Sequence, residues 1–243
     1  MVTAEHISME YDLNRGKVRS LKERLLTKVA APAGEKKFHA LRDVSFHLGK
    51  GETLGIIGNN GAGKSTLLKI VSGIMKPTEG KIAVSGRISP MIELGTGFDY
   101  ELSAEENIYL SGAVLGHGKR LLDEKMDEIF EFSELEEFRT VPVKYFSSGM
   151  VARLAFAVST LVKPELLIVD EILAVGDMPF QRKSFQKMQE MMFGGTTVIY
   201  VSHNIESVQQ MCSRVIWLDH GSIRLDGAAF DVCRCFMESV QNG

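Results

Sequence analysis

The sequence predicts an α/β fold, with a mainly parallel sheet covered by helices on both faces. Three observations carry that expectation. Short apolar runs, TLGIIG from Thr53, LLIVD from Leu166 and TTVIYVS from Thr196, alternate with helical patterns, as buried parallel strands do. A glycine-rich turn joins the first run directly to a helical segment beginning at Lys64. The chain has 243 residues, 44% hydrophobic and 24% charged, an ordinary globular balance. At this length folding buries roughly 70–75% of the surface.

The remaining elements follow in order. Residues 1–10 and 42–48 read as short strands. Between them a basic insert, about residues 12–37, carries Arg15, Lys17, Arg19, Lys22, Arg24 and Lys28 against Glu23. It reads either as a solvated helix or hairpin, or as an arm near anionic headgroups. Lys81–Val84 and Ile88–Ile92 are strand candidates, and Ser103-Ala-Glu-Glu106 is a capping box opening a helix to about Gly116. Residues 119–138 are acidic and helical, and an apolar helix runs from Gly149 to Val162. A helix over Phe180–Phe193 closes at Gly194-Gly195, residues 215–227 read as a hairpin, and a last helix starts near Ala228.

Composition excludes several classes. There are 28 basic and 31 acidic residues, a net charge of −3, which argues against a surface built to grip nucleic acid. No uncharged apolar run approaches the ~20 residues of a membrane span. Glu5, Glu10 and Asp12 stand where an export signal would be apolar. The three cysteines, Cys212, Cys233 and Cys235, form no CxxC pair and read as ordinary thiols in a cytosolic chain.

The chemistry lies in the glycine-rich turn. Gly58-Asn59-Asn60-Gly61-Ala62-Gly63-Lys64-Ser65, followed by Thr66, matches a phosphate loop after a strand and before a helix. Glycines let backbone N–H groups curl around phosphate oxygens, and the helix N-terminus adds positive potential. Lys64 would reach the β- and γ-phosphates, and the Ser65 hydroxyl would coordinate Mg²⁺. Such a loop implies an acid at the end of a nearby buried strand. LLIVD supplies Asp170 for the metal, and Glu171 follows it to polarise water.

Three further motifs make the sequence resemble ATP-binding-cassette (ABC) ATPases over about residues 40–225. Phe146-Ser-Ser-Gly-Met150 is similar to the signature motif, Ala174-Val-Gly-Asp177 to the D-loop, and His203 to the switch histidine. The resemblance implies a P-loop cassette with an antiparallel β part and a helical subdomain at about 98–162. It also implies a dimer in which each ATP lies between one chain's phosphate loop and the partner's Ser147, Ser148 and Gly149. Read without the family, Ser147 or Ser148 is a helix N-cap.

Departures narrow the resemblance. Ser148 and Met150 replace a glycine and a glutamine of the signature, and Glu93 stands where the family has a metal-sensing glutamine. ELGTGF, YFSSGM, RLAFAV and DEILAVGD together resemble ATPases that export lipid-linked polysaccharides of the O-antigen, capsule or teichoic-acid type. That implies a peripheral subunit on the cytoplasmic face of the membrane, ATP and Mg²⁺ as cofactors, a separate integral membrane permease that handles the lipid-linked glycan, and no nucleic-acid partner. Some members carry a C-terminal carbohydrate-binding domain, and none is expected within these 243 residues. Two rival readings are a non-transport cassette acting on nucleic acid or ribosomes, and a dimerisation module that binds without hydrolysing. The adenine platform falls to Tyr11 or Phe38, with a slight preference for Tyr11. The resemblance implies that the segment from Glu93 to Gly116 receives the permease, with Leu94, Phe98, Tyr100, Leu102, Ile108 and Tyr109 as an exposed apolar set; the alternative is that these residues fill the core of the helical subdomain.

Overall fold

The computed structural model describes residues 1–12, 37–91, 95, 97–170 and 176–241. The basic insert over 13–36 lies outside them, as do Glu93, Leu94 and Glu171.

Two sheets organise the chain. The smaller is antiparallel, with β1 (Val2–Asp12) between β2 (Lys37–Leu48) and β4 (Glu79–Val84). The larger has the order β5-β6-β7-β3-β8-β9: β3 (Thr53–Ile57), β5 (Ile88–Met91), β6 (Leu166–Asp170), β7 (Thr197–Val201), β8 (Arg214–Asp219) and β9 (Ser222–Ala228). All its pairings are parallel except that of the β8–β9 hairpin. The neighbouring strand candidates after Lys81 therefore separate, β4 pairing with β1 and β5 with β6.

The helices are α1 (Lys64–Val71), α2 (Ala104–Val114), α3 (Lys119–Ser133), α4 (Ser148–Ser159), α5 (Met178–Phe193), α6 (Ile205–Met211) and α7 (Ala229–Gln241). Ser103 and Glu106 form the capping box the sequence predicts at α2, each satisfying a backbone N–H of the other. The acidic helix is shorter than expected. It stops at Ser133, where Glu134 takes a left-handed conformation with φ 60, and a 3₁₀ turn follows at Glu136–Phe138. α5 starts two residues earlier than read, because the Asp177 side chain accepts from the Phe180 N–H at 3.2 Å and Pro179 occupies the first turn.

Buried side chains fall into three clusters. Leu54, Ile56, Leu68, Ile168 and Ile216 fill the space between the two sheets. Phe156, Phe180, Tyr200 and Trp217 cover the other face of the large sheet. Ile108, Phe130, Leu154 and Val158 of α2, α3 and α4 form a third cluster with Phe98, which precedes α2. This last core belongs to the segment expected as a helical subdomain. Cys212 and Cys233 are buried, and burial pushes the Cys212 thiol up to about 12, in keeping with a packing role.

One expectation is corrected here. Phe98 is only 9% exposed and Ile108 is fully buried, both inside the third cluster, so neither belongs to an exposed docking set. Their aromatic and aliphatic surface is consumed in joining the α2 segment to α3 and α4. Tyr100, by contrast, is 54% exposed, and its carbonyl accepts from the Lys144 N–H beside the exposed Tyr145. Phe98→Ser is expected to remove about 3–5 kcal/mol of stability, as large-to-small core changes do. Tyr100→Ser should leave the melting temperature near that of the unmodified chain. Thermal melting of the two purified variants checks both halves.

Candidate active site

Sheet register brings the expected groups together. Ile56, Val201 and Asp170 lie in one row across β3, β7 and β6. Two residues beyond that row β3 gives way to Gly58 and β7 to His203, so loop, acid and histidine share the carboxyl edge. This is where ligands bind in parallel α/β sheets.

Packing imposes glycine at two loop positions. A Cβ on Gly58 would sit 2.2 Å from the Leu218 carbonyl oxygen, and one on Gly63, whose φ is 104, would lie 2.5 Å from the Ala40 carbonyl oxygen. Gly63 is also the N-cap of α1, so the left-handed turn aims the first N–H groups of that helix into the loop. Gly61, with φ 80, faces open space. The Gly221 N–H donates to the Ala62 carbonyl at 3.1 Å, and Arg42 N–H to Gly221 at 2.8 Å, fastening the loop to β2 and the β8–β9 turn.

Lys64 is 8% exposed, and its ammonium donates to the carbonyls of Gly58 at 2.7 Å and Asn59 at 3.1 Å. A buried cation is thus held inside the loop. A cavity of about 350 Å³ opens here, lined by Phe38, Ala40, Asn60 to Thr66, Asp170 and His203. Ser65 and Asp170 offer hard oxygen donors in one cavity beside a cationic loop, a set that fits Mg²⁺ together with phosphate oxygens.

Phe38 and Tyr11 are directly paired on the β1–β2 ladder, which puts them side by side on one face. Phe38, 49% exposed, lines the cavity; the Tyr11 hydroxyl instead points to Met75 Sδ at 3.6 Å. The geometry thus favours Phe38 over the slight sequence preference for Tyr11. His203 is followed by Asn204, whose side chain caps α6 by accepting from the Ser207 N–H at 3.0 Å. That short helix was missed by sequence reading, although Asn204 and Ser207 have cap spacing.

Ser147, Ser148, Gly149 and Asp177 line a different cavity, of about 730 Å³. Ser147 is the N-cap of α4, its hydroxyl accepting from the Met150 N–H at 3.2 Å. The N-cap reading and the anion-binding reading are compatible, since the Ser147 hydroxyl takes up the Met150 N–H alone and Ser148 and Gly149 line the opening. The two cavities have no lining residue in common. Among the described residues, phosphate loop and signature helix thus open into separate cavities of the single chain.

A phosphate loop at the carboxyl edge of a parallel sheet, with the acid of a nearby strand, defines a P-loop nucleoside triphosphatase. The chain belongs to the ABC transporter family, whose model, described as ABC transporter, matches residues 41–174. It is an ABC-type ATPase cassette. It is 44% identical over 205 residues to an O-antigen export system ATP-binding protein, RfbB, of Klebsiella pneumoniae, covering 84% of this chain and 83% of that one. It is 39% identical over 242 residues to a teichoic acids export ATP-binding protein, TagH, of Listeria monocytogenes, covering 99% of this chain and 70% of that one. Among solved structures it resembles a dimeric post-hydrolysis state of an ATP-binding cassette bound to ADP and Pi. That match has a TM-score of 0.73 at 22% identity, over 94% of this chain and 99% of the other. Among the described residues no helix is long and apolar enough to cross a membrane.

Proposed function

We propose that this chain is the ATP-hydrolysing subunit of a transporter that exports a lipid-linked polysaccharide of the O-antigen or teichoic-acid type. It works as a homodimer on the cytoplasmic face of the membrane, bound to a separate integral membrane permease that handles the glycan. The observation that carries the dimer is the split site: nucleotide loop and signature helix open into separate cavities. The glycan class is supported by the export-system relatives, which align over most of this chain.

In this reading Phe38 stacks on adenine, with Tyr11 packed beside it on the same face. Lys64 leaves the loop carbonyls for the β- and γ-phosphates, and the N–H groups from Gly61 to Thr66 hold their oxygens. Ser65 and Asp170 hold Mg²⁺, with Glu93 as a further sensing ligand. Bound there, the ion would offset charge on the β- and γ-phosphate oxygens. Glu171 orients the attacking water, and His203 approaches the γ-phosphate. Ser147, Ser148 and Gly149 of the partner close the site from the other side. Tyr100, exposed on the segment before α2, contacts the permease.

A split site makes hydrolysis second order in chain at low concentration. Phosphate release per chain should therefore rise with protein concentration across the dilute range and then level off. A specific activity independent of concentration, from a chain that stays monomeric by light scattering, would overturn the dimeric site.

A further inference from the structure

We propose that a small cavity between the helical segment and the edge of the large sheet binds one halide-sized anion, held by Arg87, His117 and Lys163. The proposal goes beyond the transport reading and does not rest on it. The cavity measures about 20 Å³, and Arg87, Ser89, His117, Ser159 and Lys163 form its polar lining. A single water needs roughly 10–15 Å³, so the space takes one small particle and excludes a tetrahedral oxyanion.

Four elements meet there. Arg87 and Ser89 stand at the start of β5, Ser159 ends α4, and Lys163 lies on the turn from α4 to β6. α2 ends at Val114, beyond which Gly116 takes a left-handed conformation with φ 79 and the His117 N–H donates to the Gly112 carbonyl at 2.8 Å. That turn brings His117 from the end of α2 to the sheet edge. The Ser89 hydroxyl donates to the Ser159 carbonyl at 3.2 Å, which joins β5 to the end of α4.

The lining offers more donors than the chain uses. His117 Nδ1 is buried and has no hydrogen-bond partner among the described residues. The Lys163 ammonium donates to the Gly194 carbonyl and keeps further protons to give. Among the described residues the Arg87 guanidinium has no carboxylate partner. Glu165 is the acid beside it: its carboxylate accepts from the Arg87 backbone N–H at 3.3 Å, yet Glu165 does not line the cavity. A buried polar atom left unpaired points to an occupant, and two cations around it select an anion over water.

Proton and anion are linked at this site. Burial, with the Arg87 guanidinium nearby, holds His117 below the usual histidine range. An anion among the three side chains would offset Arg87 and favour the imidazolium, so each ligand tightens the other by the same factor.

Two measurements on the full chain test the site. Crystals soaked in sodium bromide should show an anomalous peak in contact with Arg87, His117 and Lys163. In solution, imidazole resonances are followed against pH by NMR, and His117 is identified among the six histidines by the signal lost in His117→Gln. His117 should titrate at higher pH in saturating sodium chloride than in sodium sulfate of equal ionic strength. The difference corresponds to chloride binding about tenfold more tightly to the protonated chain, an ordinary size for coupling between two sites. Arg87→Gln, at an exposed position, should raise the His117 titration in sulfate by removing a neighbouring cation, and should abolish both the difference between the salts and the bromide peak. Equal titration of the unmodified chain in the two salts would overturn the proposal. So would a water in place of bromide, or a bromide peak that keeps its full height in Arg87→Gln.

Discussion

Lys64→Ala is expected to weaken ATP binding by about 10- to 100-fold, the equivalent of losing a charge-assisted hydrogen bond worth ~1.5–3 kcal/mol. Two consequences of the geometry set that size. The ammonium is buried and already lies inside the loop on the Gly58 and Asn59 carbonyls, so its charge is poorly screened from an entering phosphate. Removing it also takes a donor from both carbonyls, Asn59 keeping the Ala62 N–H at 3.1 Å, which loosens the loop before any nucleotide arrives. Titration with a non-hydrolysable ATP analogue reads the affinity directly. Unchanged affinity in Lys64→Ala would contradict the role given to the phosphate loop. A lower melting temperature with normal affinity would mean that the lysine serves the fold instead.

Why the loop was legible while other parts were not follows from where the information lies. A phosphate loop is contiguous: strand, turn and helix follow one another from Thr53 to Val71, and steric demand fixes the glycines. Asp170 was equally plain, because an apolar run ending in an acid marks a strand reaching the ligand edge. The aromatic platform was harder. β2 begins at Lys37, well before the strand start read at residue 42, and only the ladder reveals that Phe38 pairs with Tyr11. An ion-pair group at Arg153 draws on Glu134 and Asp177, which are far apart in sequence. Spacing along the chain carries no trace of such a meeting. Periodicity also failed to separate Phe98 from Tyr100, since both are aromatic on one short segment and only packing decides which is core.

The same physical argument bears on how the site divides labour. In the proposed mechanism, backbone groups and Lys64 would act on the phosphates whether or not a partner is present, because they belong to one strand–loop–helix unit. The α4 N-terminus opens into another cavity, so in the proposed dimer its contribution would begin only when a second chain supplies a nucleotide. Binding and turnover are thereby separable: variants of the loop act on the first, and variants of the water-positioning and signature groups act on the second.

Glu171→Gln isolates the second step and should give the largest change in rate. The substitution keeps shape and hydrogen-bonding capacity but removes the carboxylate that would orient and deprotonate the attacking water. General-base assistance of this kind is typically worth ~10²–10⁴-fold, so turnover should fall on the order of 10²-fold or more. Affinity for ATP should stay near that of the unmodified chain, because Lys64 and the loop N–H groups are intact. With binding preserved and hydrolysis slowed, ATP should accumulate between two chains, and the dimer should persist on size exclusion in the presence of Mg²⁺ and ATP. Phosphate release and elution volume measured on one preparation test both statements. Hydrolysis at the unmodified rate would remove Glu171 from the chemistry. Slow hydrolysis without an ATP-dependent dimer would leave Glu171 in place and instead contradict a shared site between two chains.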